Sequence, residues 1–314
     1  MELQVRARTA ASTRCVLLEL ALPQGGLLPL WTPGAHIELT LEVGGQTLVR
    51  QYSLCGDCAD TQLWTIAVLR EHNSRGGSAF LCDQLQVGHI LRCSGPRNHF
   101  AFAPTAQRVR LVAAGIGITP LLSMAHAAQQ QGCDWQLIYL VRERADACLA
   151  PALQALPAHR MQIYCSAERG RFDLAQWSAS LDAQDSVYAC GPLRLLDDLS
   201  ALQEARPSWA LQLERFENPN KAMDADSGFE LVLARSGQRL TVGAGETMLG
   251  VLRRYHIDVP WSCSDGVCGT CEQAVLAGTP DHRDAVLSVA ERCANTHVMV
   301  CVSRSLSPSL TLDL

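Results

Sequence analysis

The first hundred residues carry their apolar positions in short bursts. Residues 16–20, 36–41 and 63–69 are rich in aliphatic and β-branched side chains. Pro23, Gly25-Gly26, Pro33-Gly34, Gly44-Gly45 and Gly56-Asp57 punctuate them. Many short strands at such spacing predict a small antiparallel barrel. From about residue 107 the pattern changes. Residues 109–114 read as a buried strand that runs into Gly115 and then a helix over 120–131, with Gly132 where a C-terminal cap belongs. Further strands are predicted at 136–141 and 187–189, the last feeding a helix over Leu193–Ala205. Strands alternating with helices predict a parallel sheet with crossover connections. Residues 214–228 are polar and include Asn218, Pro219, Asn220, Asp224 and Asp226, which reads as a linker. Phe229–Leu233 and Arg239–Val242 then read as a hairpin and 246–255 as a helix, ahead of a cysteine-rich run. The chain is therefore expected to be multi-domain: an antiparallel β-barrel over 1–104, an α/β parallel-sheet domain over 105–217, a linker over 218–228 and an α+β domain over 229–314.

Composition narrows the function classes. A net charge of −5 argues against nucleic acid as the main partner. The opening MELQVRARTA is charged at once and has no apolar core of a signal peptide. Residues 111–133 lack Asp, Glu, Lys and Arg, but Gly115, Gly117, Pro120 and the run Gln129-Gln130-Gln131 break the continuous apolar segment a membrane span needs. A cytoplasmic protein with no membrane segment is expected. Fourteen cysteines in an unexported chain are expected to be reduced, so a cluster of them points to metal and scattered ones to packing.

Cys263, Cys268 and Cys271 stand in C-x4-C-x2-C order, and Cys301 follows farther on. This is the plant-type [2Fe–2S] ligand spacing. Gly266 and Gly269 allow the loop to close without Cβ clashes, so that backbone amides can face the sulfurs. Four cysteines also suit zinc, but zinc ribbons use two C-x2-C knuckles where this chain has one, and no His stands in the loop for a Rieske centre. Cys293 is expected to sit in a helical turn as packing, Cys55-x2-Cys58 to pack at a strand end, and Trp261 to pack beneath the cysteine loop.

Arg50-Gln51-Tyr52-Ser53, after the strand at 47–49, offers a cation for a flavin phosphate, an aromatic wall and a hydroxyl for the ring. Arg75-Gly76-Gly77-Ser78 precedes a helical stretch at 79–85 and reads as a phosphate cradle or as a glycine turn capped by Ser78. Gly115-Ile116-Gly117-Ile118-Thr119-Pro120 ends one strand and opens a helix. It is not the G-x-G-x-x-G fingerprint, yet its glycines permit close approach of a pyrophosphate. The alternative is a plain helix cap, with Thr119 ahead of Pro120 at the first helical position. Cys190-Gly191-Pro192 stands at a second strand end, and two neighbouring strand ends of a parallel sheet make a nucleotide crevice.

Together these segments, with Gly95-Pro96-Arg97-Asn98-His99-Phe100 and the nearly unaltered loop Cys263–Cys271, resemble the phthalate dioxygenase reductase family, which includes vanillate O-demethylase reductases. The resemblance runs the length of the chain. It implies a flavin barrel, a nucleotide domain and a β-grasp-like [2Fe–2S] ferredoxin domain, in that order. It also implies FMN, NADH and a Rieske-type oxygenase as protein electron acceptor. By the same resemblance Arg50, Gln51, Tyr52, Ser53, Ala67, Leu69, Gly76, Gly77, Ser78 and Phe216 attend the flavin, and Gly115, Gly117, Thr119, Cys190, Gly191 and Pro192 the nucleotide. Ser53 and Cys190 are expected to border the hydride transfer, and Cys263, Cys268, Cys271 and Cys301 to hold the cluster. Arg142, Glu143 and Arg144 follow the second nucleotide strand and leave NADH against NADPH open, with at least two expected to be solvated surface charge. A cytochrome P450 acceptor, or a redox-sensing iron–sulfur module without catalysis, are the competing expectations. A monomer is the default.

Overall fold

The computed structural model describes residues 1–72, 74, 76–104, 107–218 and 227–314. Arg75 and most of the expected linker lie outside the described residues. The chain divides into two compact units, Met1–Glu214 and Arg215–Leu314. No helix among the described residues is long and apolar enough to cross a membrane.

The first unit opens with β1 (Glu2–Ser12), β2 (Cys15–Ala21), β3 (His36–Val43), β4 (Gln46–Ser53), β5 (Trp64–Leu69), α1 (Gly77–Asp83) and β6 (Ile90–Arg97). The strands form an antiparallel sheet in the order β4-β3-β6-β1-β2-β5. A bridge between Leu54 and Ile66 brings the two outer strands together and closes the barrel. Alternate residues fill it: Leu18 and Leu20, Ile37, Leu39 and Leu41, Ile66 and Val68 are all buried, the period expected of strands with one apolar face.

The chain continues through β7 (Arg108–Ala114), α2 (Ile118–Gln130), β8 (Asp134–Val141), α3 (Ala150–Gln154), β9 (Met161–Cys165), α4 (Ser166–Arg169), α5 (Leu174–Ser178), β10 (Asp185–Cys190), α6 (Leu193–Ala205) and β11 (Ala210–Glu214). All neighbours are parallel, in the order β11-β10-β7-β8-β9. The chain leaves β7 outward to β8 and β9, then returns to β10 on the other side of β7. The order therefore reverses between β7 and β10, and a crevice opens beyond the carboxyl ends of strands at such a reversal. Barrel and parallel sheet share a core: Cys15, Cys55, Ala67 and Phe100 pack in one cluster with Ile118, Met124 and Tyr188. Gly34 marks how tightly, since a Cβ there would stand 1.9 Å from the Phe100 carbonyl oxygen.

The second unit holds β12 (Phe229–Leu233), β13 (Arg239–Val242), α7 (Met248–Arg254), β14 (Glu272–Ala277), β15 (Pro280–Asp281), α8 (Val289–Ala294), β16 (His297–Met299), β17 (Arg304–Ser305) and β18 (Ser309–Leu312). Its sheet runs β13-β12-β18-β14-β16, with β12 and β18 parallel and the other pairs antiparallel. Met248, Leu249, Val251 and Leu252 of α7 are buried in the same core as Leu231, Leu233 and Leu310 of the sheet. A helix on a mixed sheet of this order is a β-grasp arrangement.

Candidate functional site

The flavin motif does not follow its strand but ends it, because β4 continues through Ser53. Pairing with β3 sets Leu39 opposite Arg50, Glu38 opposite Gln51, and His36 opposite Ser53. Glu38, 4% exposed, is the hub beneath them. It accepts from Gln51 Nε2 at 3.1 Å and Ser94 Oγ at 2.9 Å, and pairs with Arg97 at 2.7 Å. A buried carboxylate is stable only with partners of this kind. Burial pushes the Tyr52 phenol above its ordinary range, so its hydroxyl remains a neutral donor. Arg50 lies against Gly77, where a Cβ would fall 2.9 Å from Arg50 Nε. Gly76 has φ 101 and opens the turn. A guanidinium laid over Gly77, beside the turn at Gly76, suits a phosphate that backbone must approach closely. Ser78 does not cap α1: its hydroxyl donates to Ser74 Oγ at 3.0 Å and accepts from Glu71 N at 3.2 Å. Ala67 is buried and Leu69 partly so.

The two nucleotide segments meet at the reversal between β7 and β10. Gly115 to Gly117 form a single 3-10 turn and α2 starts at Ile118. Gly117, not Thr119, therefore holds the cap position; the buried Thr119 donates its hydroxyl back to Ile116 O at 2.9 Å. A Cβ on Gly117 would stand 2.2 Å from Cys190 O, and one on Gly191 would stand 2.9 Å from Ala114 Cβ. Pro192 sits at the cap of α6.

Beside Cys190, in register on β11, stands Glu214, a residue that sequence reasoning passed over. Burial pushes the Cys190 thiol well above its usual range, and the adjacent Glu214 carboxylate pushes it further. Desolvation raises the Glu214 carboxyl to about 8, although its hydrogen bond with Cys190 pulls the other way. Glu214 Oε2 is sealed from solvent and has no hydrogen-bond partner among the described residues. An unpartnered buried carboxyl oxygen at the carboxyl edge of the sheet leaves a place for a hydrogen bond with a ligand. Only its placement opposite Cys190, which depends on strand pairing, reveals it. Farther along, Glu143 caps a short turn and Arg144 pairs with Glu168 at 2.8 Å, so both charges are engaged within the protein; Arg142 is exposed.

In the second unit the four cysteines come together in pairs. Cys268 hydrogen-bonds Cys263, and Cys271 hydrogen-bonds Cys301, while Cys263 also reaches Cys301. Those thiols, together with the Val267 and Asp265 backbone, hold Cys263 well below the ordinary thiol range. The Asp265 amide donates to Cys263 Sγ at 3.3 Å. Among the described residues no three His, Cys, Asp or Glu side chains converge as the ligands of one ion. Two pairs of thiols suit a two-iron centre, in which each iron takes two thiolates. Cys268, Cys271 and Cys301 are buried, and Cys263 is the most exposed of the four thiols. Gly266, at φ 70, would place a Cβ 2.5 Å from Val302 Cγ2 and 2.8 Å from Asn218 Nδ2. Asn218 in turn clamps the loop, donating to Asp265 O at 2.9 Å and Arg283 O at 2.7 Å.

Two expectations for this unit are corrected. Trp261 does not pack beneath the loop; it is 40% exposed, with Arg253 stacked 4.2 Å from its ring. Cys293 lies in α8 but is exposed, because the helix turns that side outward. Cys55 is buried as expected and donates to Thr65 O at 3.5 Å. Phe216, assigned by resemblance to the flavin, belongs to the second unit and is 39% exposed.

Known proteins share this plan. The family model described as oxidoreductase FAD-binding domain matches residues 2–102, and that of the 2Fe-2S iron-sulfur cluster binding domain matches 231–305. A toluene-4-sulfonate monooxygenase system reductase subunit from Comamonas testosteroni is 39% identical, over 99% of this chain and 98% of its own. The solved phthalate dioxygenase reductase is 34% identical with a TM-score of 0.71, covering 100% of this chain and 98% of that one. An intact type IV self-sufficient cytochrome P450 monooxygenase is 37% identical with a TM-score of 0.90, but this chain spans only 41% of it.

Proposed function

We propose a function from one premise: the chain belongs to the phthalate dioxygenase reductase family. It is the reductase component of a two-component oxygenase system. It oxidises NADH and delivers electrons to a Rieske-type oxygenase that hydroxylates or O-demethylates an aromatic compound. The observation that carries this reading is the pairing of four thiols at plant-type spacing in a chain whose other unit brings Gly117 against Cys190. FMN and a [2Fe–2S] cluster supply the step from a two-electron hydride to single electrons. Arg50, Gly76 and Gly77 hold the flavin phosphate. Gln51, Tyr52, Ser53, Ala67 and Leu69 line the ring side of the barrel, with Ser53 donating toward the ring. Gly115, Gly117, Thr119, Gly191 and Pro192 seat the nucleotide, and Cys190, kept protonated by burial, borders the nicotinamide with Glu214 behind it. Cys263, Cys268, Cys271 and Cys301 hold the cluster. The working boundaries are 1–104, 105–217 and 229–314, in a monomer of the cytoplasm.

A second reading rests on the likeness to the self-sufficient P450: the same electron path, serving a haem acceptor. A redox sensor without turnover has less support, because the nucleotide segments are complete. Anaerobic titration with NADH, followed by visible absorbance and low-temperature EPR with the released flavin identified, tests the electron path. Flavin bleaching, a rhombic signal from a reduced two-iron centre and FMN on denaturation are expected. Bleaching without that signal, in protein that holds zinc, overturns the ferredoxin assignment. Turnover with a Rieske oxygenase and with a P450 side by side then separates the two acceptors.

A further inference from the structure

The parallel sheet decides where the far half of a bound dinucleotide falls. The nucleotide reading above puts the nicotinamide beside Cys190, at the end of β10, and the pyrophosphate at Gly115 and Gly117, past the end of β7. Since β10 flanks β7 on one side and β8 on the other, the adenosine half is sent toward β8 and β9. The register makes this a short step: Ala114 of β7 is level with Leu140 of β8, and Val141 with Cys165 of β9. Adjacent strands lie about 4.8 Å apart, so Arg142 and Ser166, the first residues beyond β8 and β9, stand on the same edge as Gly115 and about 10 Å or less from it. The two segments are fastened together there. Arg142 O accepts from Ala167 N at 3.0 Å and from Cys165 Sγ at 3.0 Å. Across them Arg144 and Glu168 make a two-point pair, Nε to Oε1 at 2.8 Å and Nη2 to Oε2 at 3.1 Å. Their side chains are 63% and 44% exposed, so the pair is open to a ligand. Arg144 holds the Glu168 carboxyl below its ordinary range, and an ionised carboxylate only accepts. Charge in these segments is balanced, with Arg142, Arg144 and Arg169 against Glu143, Asp146 and Glu168.

We propose that Glu168, held in place by Arg144, selects NADH over NADPH: it accepts the 2′-hydroxyl of the adenosine ribose and repels a 2′-phosphate. The assignment rests on the nucleotide reading above and names the residues that discriminate within that site. Each Glu168 oxygen keeps a further lone pair after binding Arg144, enough for a hydroxyl donor. A phosphate monoester carries a charge of about −1.5 to −2 at neutral pH and would meet the carboxylate instead. The Arg144 guanidinium, whose fork could grip a phosphate at two points, is already taken by Glu168. Like charges set side by side are strongly unfavourable, whereas an exposed ion pair contributes little by itself. Discrimination therefore comes from where the carboxylate is placed and not from the strength of the pair. The local sequence leaves the choice open, because Arg142, Glu143 and Arg144 offer cations and an anion together. Glu168, 24 residues from Arg144, decides it once β9 lies beside β8.

The test measures binding of ADP-ribose and 2′-phospho-ADP-ribose to full-length holoprotein by calorimetry, beside steady-state oxidation of NADH and NADPH with ferricyanide. Wild type should bind the phosphorylated ligand about tenfold or more weakly than ADP-ribose. Glu168→Gln keeps the size of the side chain and removes its charge. It should bind 2′-phospho-ADP-ribose about tenfold more tightly than wild type and ADP-ribose a few-fold more weakly, with kcat/KM for NADPH and NADH moving in the same senses. Adding Arg144→Ala to Glu168→Gln should abolish the gain, because the released guanidinium is what takes the phosphate. An affinity ratio in Glu168→Gln within about twofold of wild type overturns the proposal. So does a gain that survives the loss of Arg144, or wild type that binds the two ligands equally or binds neither. Both side chains are exposed, and an unchanged Tm verifies that the variants fold. The two ligands lack nicotinamide, so their binding is read whether or not electrons pass. Failure of the reductase reading shows differently, as wild type that discriminates between the ligands yet does not oxidise NADH.

Discussion

Replacing Gly117 with alanine tests the nucleotide crevice most sharply. Gly117 has ordinary helical angles, φ −62 and ψ −3, so alanine costs nothing in backbone conformation. The cost is contact. The new Cβ would stand 2.2 Å from Cys190 O, 2.4 Å from its carbonyl carbon and 2.7 Å from Gly191 N. All three are backbone atoms at the end of β10, which is paired on both sides by β7 and β11, and they cannot rotate away as a side chain would. Recovering ordinary van der Waals separation requires the Cys190–Gly191 peptide to retreat by about 1 Å. Overpacking of this kind costs about 1–3 kcal/mol. If that strand end seats the nucleotide, the KM for NADH rises roughly five- to hundredfold. The assay is steady-state NADH oxidation with ferricyanide as acceptor, with bound flavin and iron measured on the same sample. Flavin and iron contents should not change, because Arg50 and the cysteine loop lie on other segments. A KM within twofold of wild type and an unchanged Tm would refute the reasoning. Loss of flavin with an unchanged KM would mean that the crevice is misassigned.

Gly77→Ala places its Cβ 2.9 Å from Arg50 Nε, the mobile end of a side chain, so folding should survive while flavin binds roughly tenfold more weakly; flavin lost on desalting measures it, with the KM for NADH unmoved. Glu214, raised to about 8 from 4.5 by desolvation, binds its proton more tightly folded than unfolded. Its contribution to stability is therefore present below about pH 4.5 and lost as pH rises toward 8. Thermal melts of Glu214→Gln should match wild type near pH 5 and exceed it increasingly up to pH 8; parallel curves would rule out the buried carboxyl. Asn218→Ala removes two bonds to the cysteine loop, worth about 1–3 kcal/mol, and should speed iron release to a chelator several-fold without touching flavin content. Trp261 is exposed two residues before Cys263; if it meets the electron acceptor, Trp261→Ala should leave ferricyanide reduction intact while slowing cytochrome c reduction about fivefold or more, and equal rates with both acceptors would exclude that role.

Features set by neighbouring residues were legible in the sequence. Leu193–Ala205, Phe229–Leu233 and Arg239–Val242 have the bounds that periodicity and turn residues predict. The four-cysteine spacing is likewise local, apart from Cys301. β1 escaped notice because Leu3 and Val5 alternate with Gln4 and Arg6, and Arg8 follows, so no apolar run announces it; its partners on β2 and β6 supply the order. The flavin strand was cut short at residue 49 because Arg50 and Gln51 look like a loop. They remain in a strand because Leu39 and Glu38 face them across β3. Glu38, Glu214 and Asn218 escaped for the same reason: each acts on a residue that only pairing or folding brings near it.

The glycines separate what the local pattern shows from what only the fold shows. Gly44, Gly45, Gly132 and Gly237 have positive φ with open space around the missing Cβ, so the turn itself demands them and the sequence betrays it. Gly77, Gly117 and Gly266 are a different class. Each lacks room because a distant segment presses on it: Arg50 on Gly77, Cys190 on Gly117, and Val302 with Asn218 on Gly266. These three contacts fall at the three places where a phosphate, a nucleotide and a cluster are proposed to be held. Backbone amides can serve a bound group only where no side chain stands off the neighbouring chain. An alanine scan should therefore split the glycines by consequence. Substitution at Gly44, Gly45, Gly132 or Gly237 strains a turn and lowers stability alone, whereas substitution at Gly77, Gly117 or Gly266 is expected to release the one group proposed there and leave the other two in place; substitution at Gly34, pressed by Phe100 in the core, should lower stability alone.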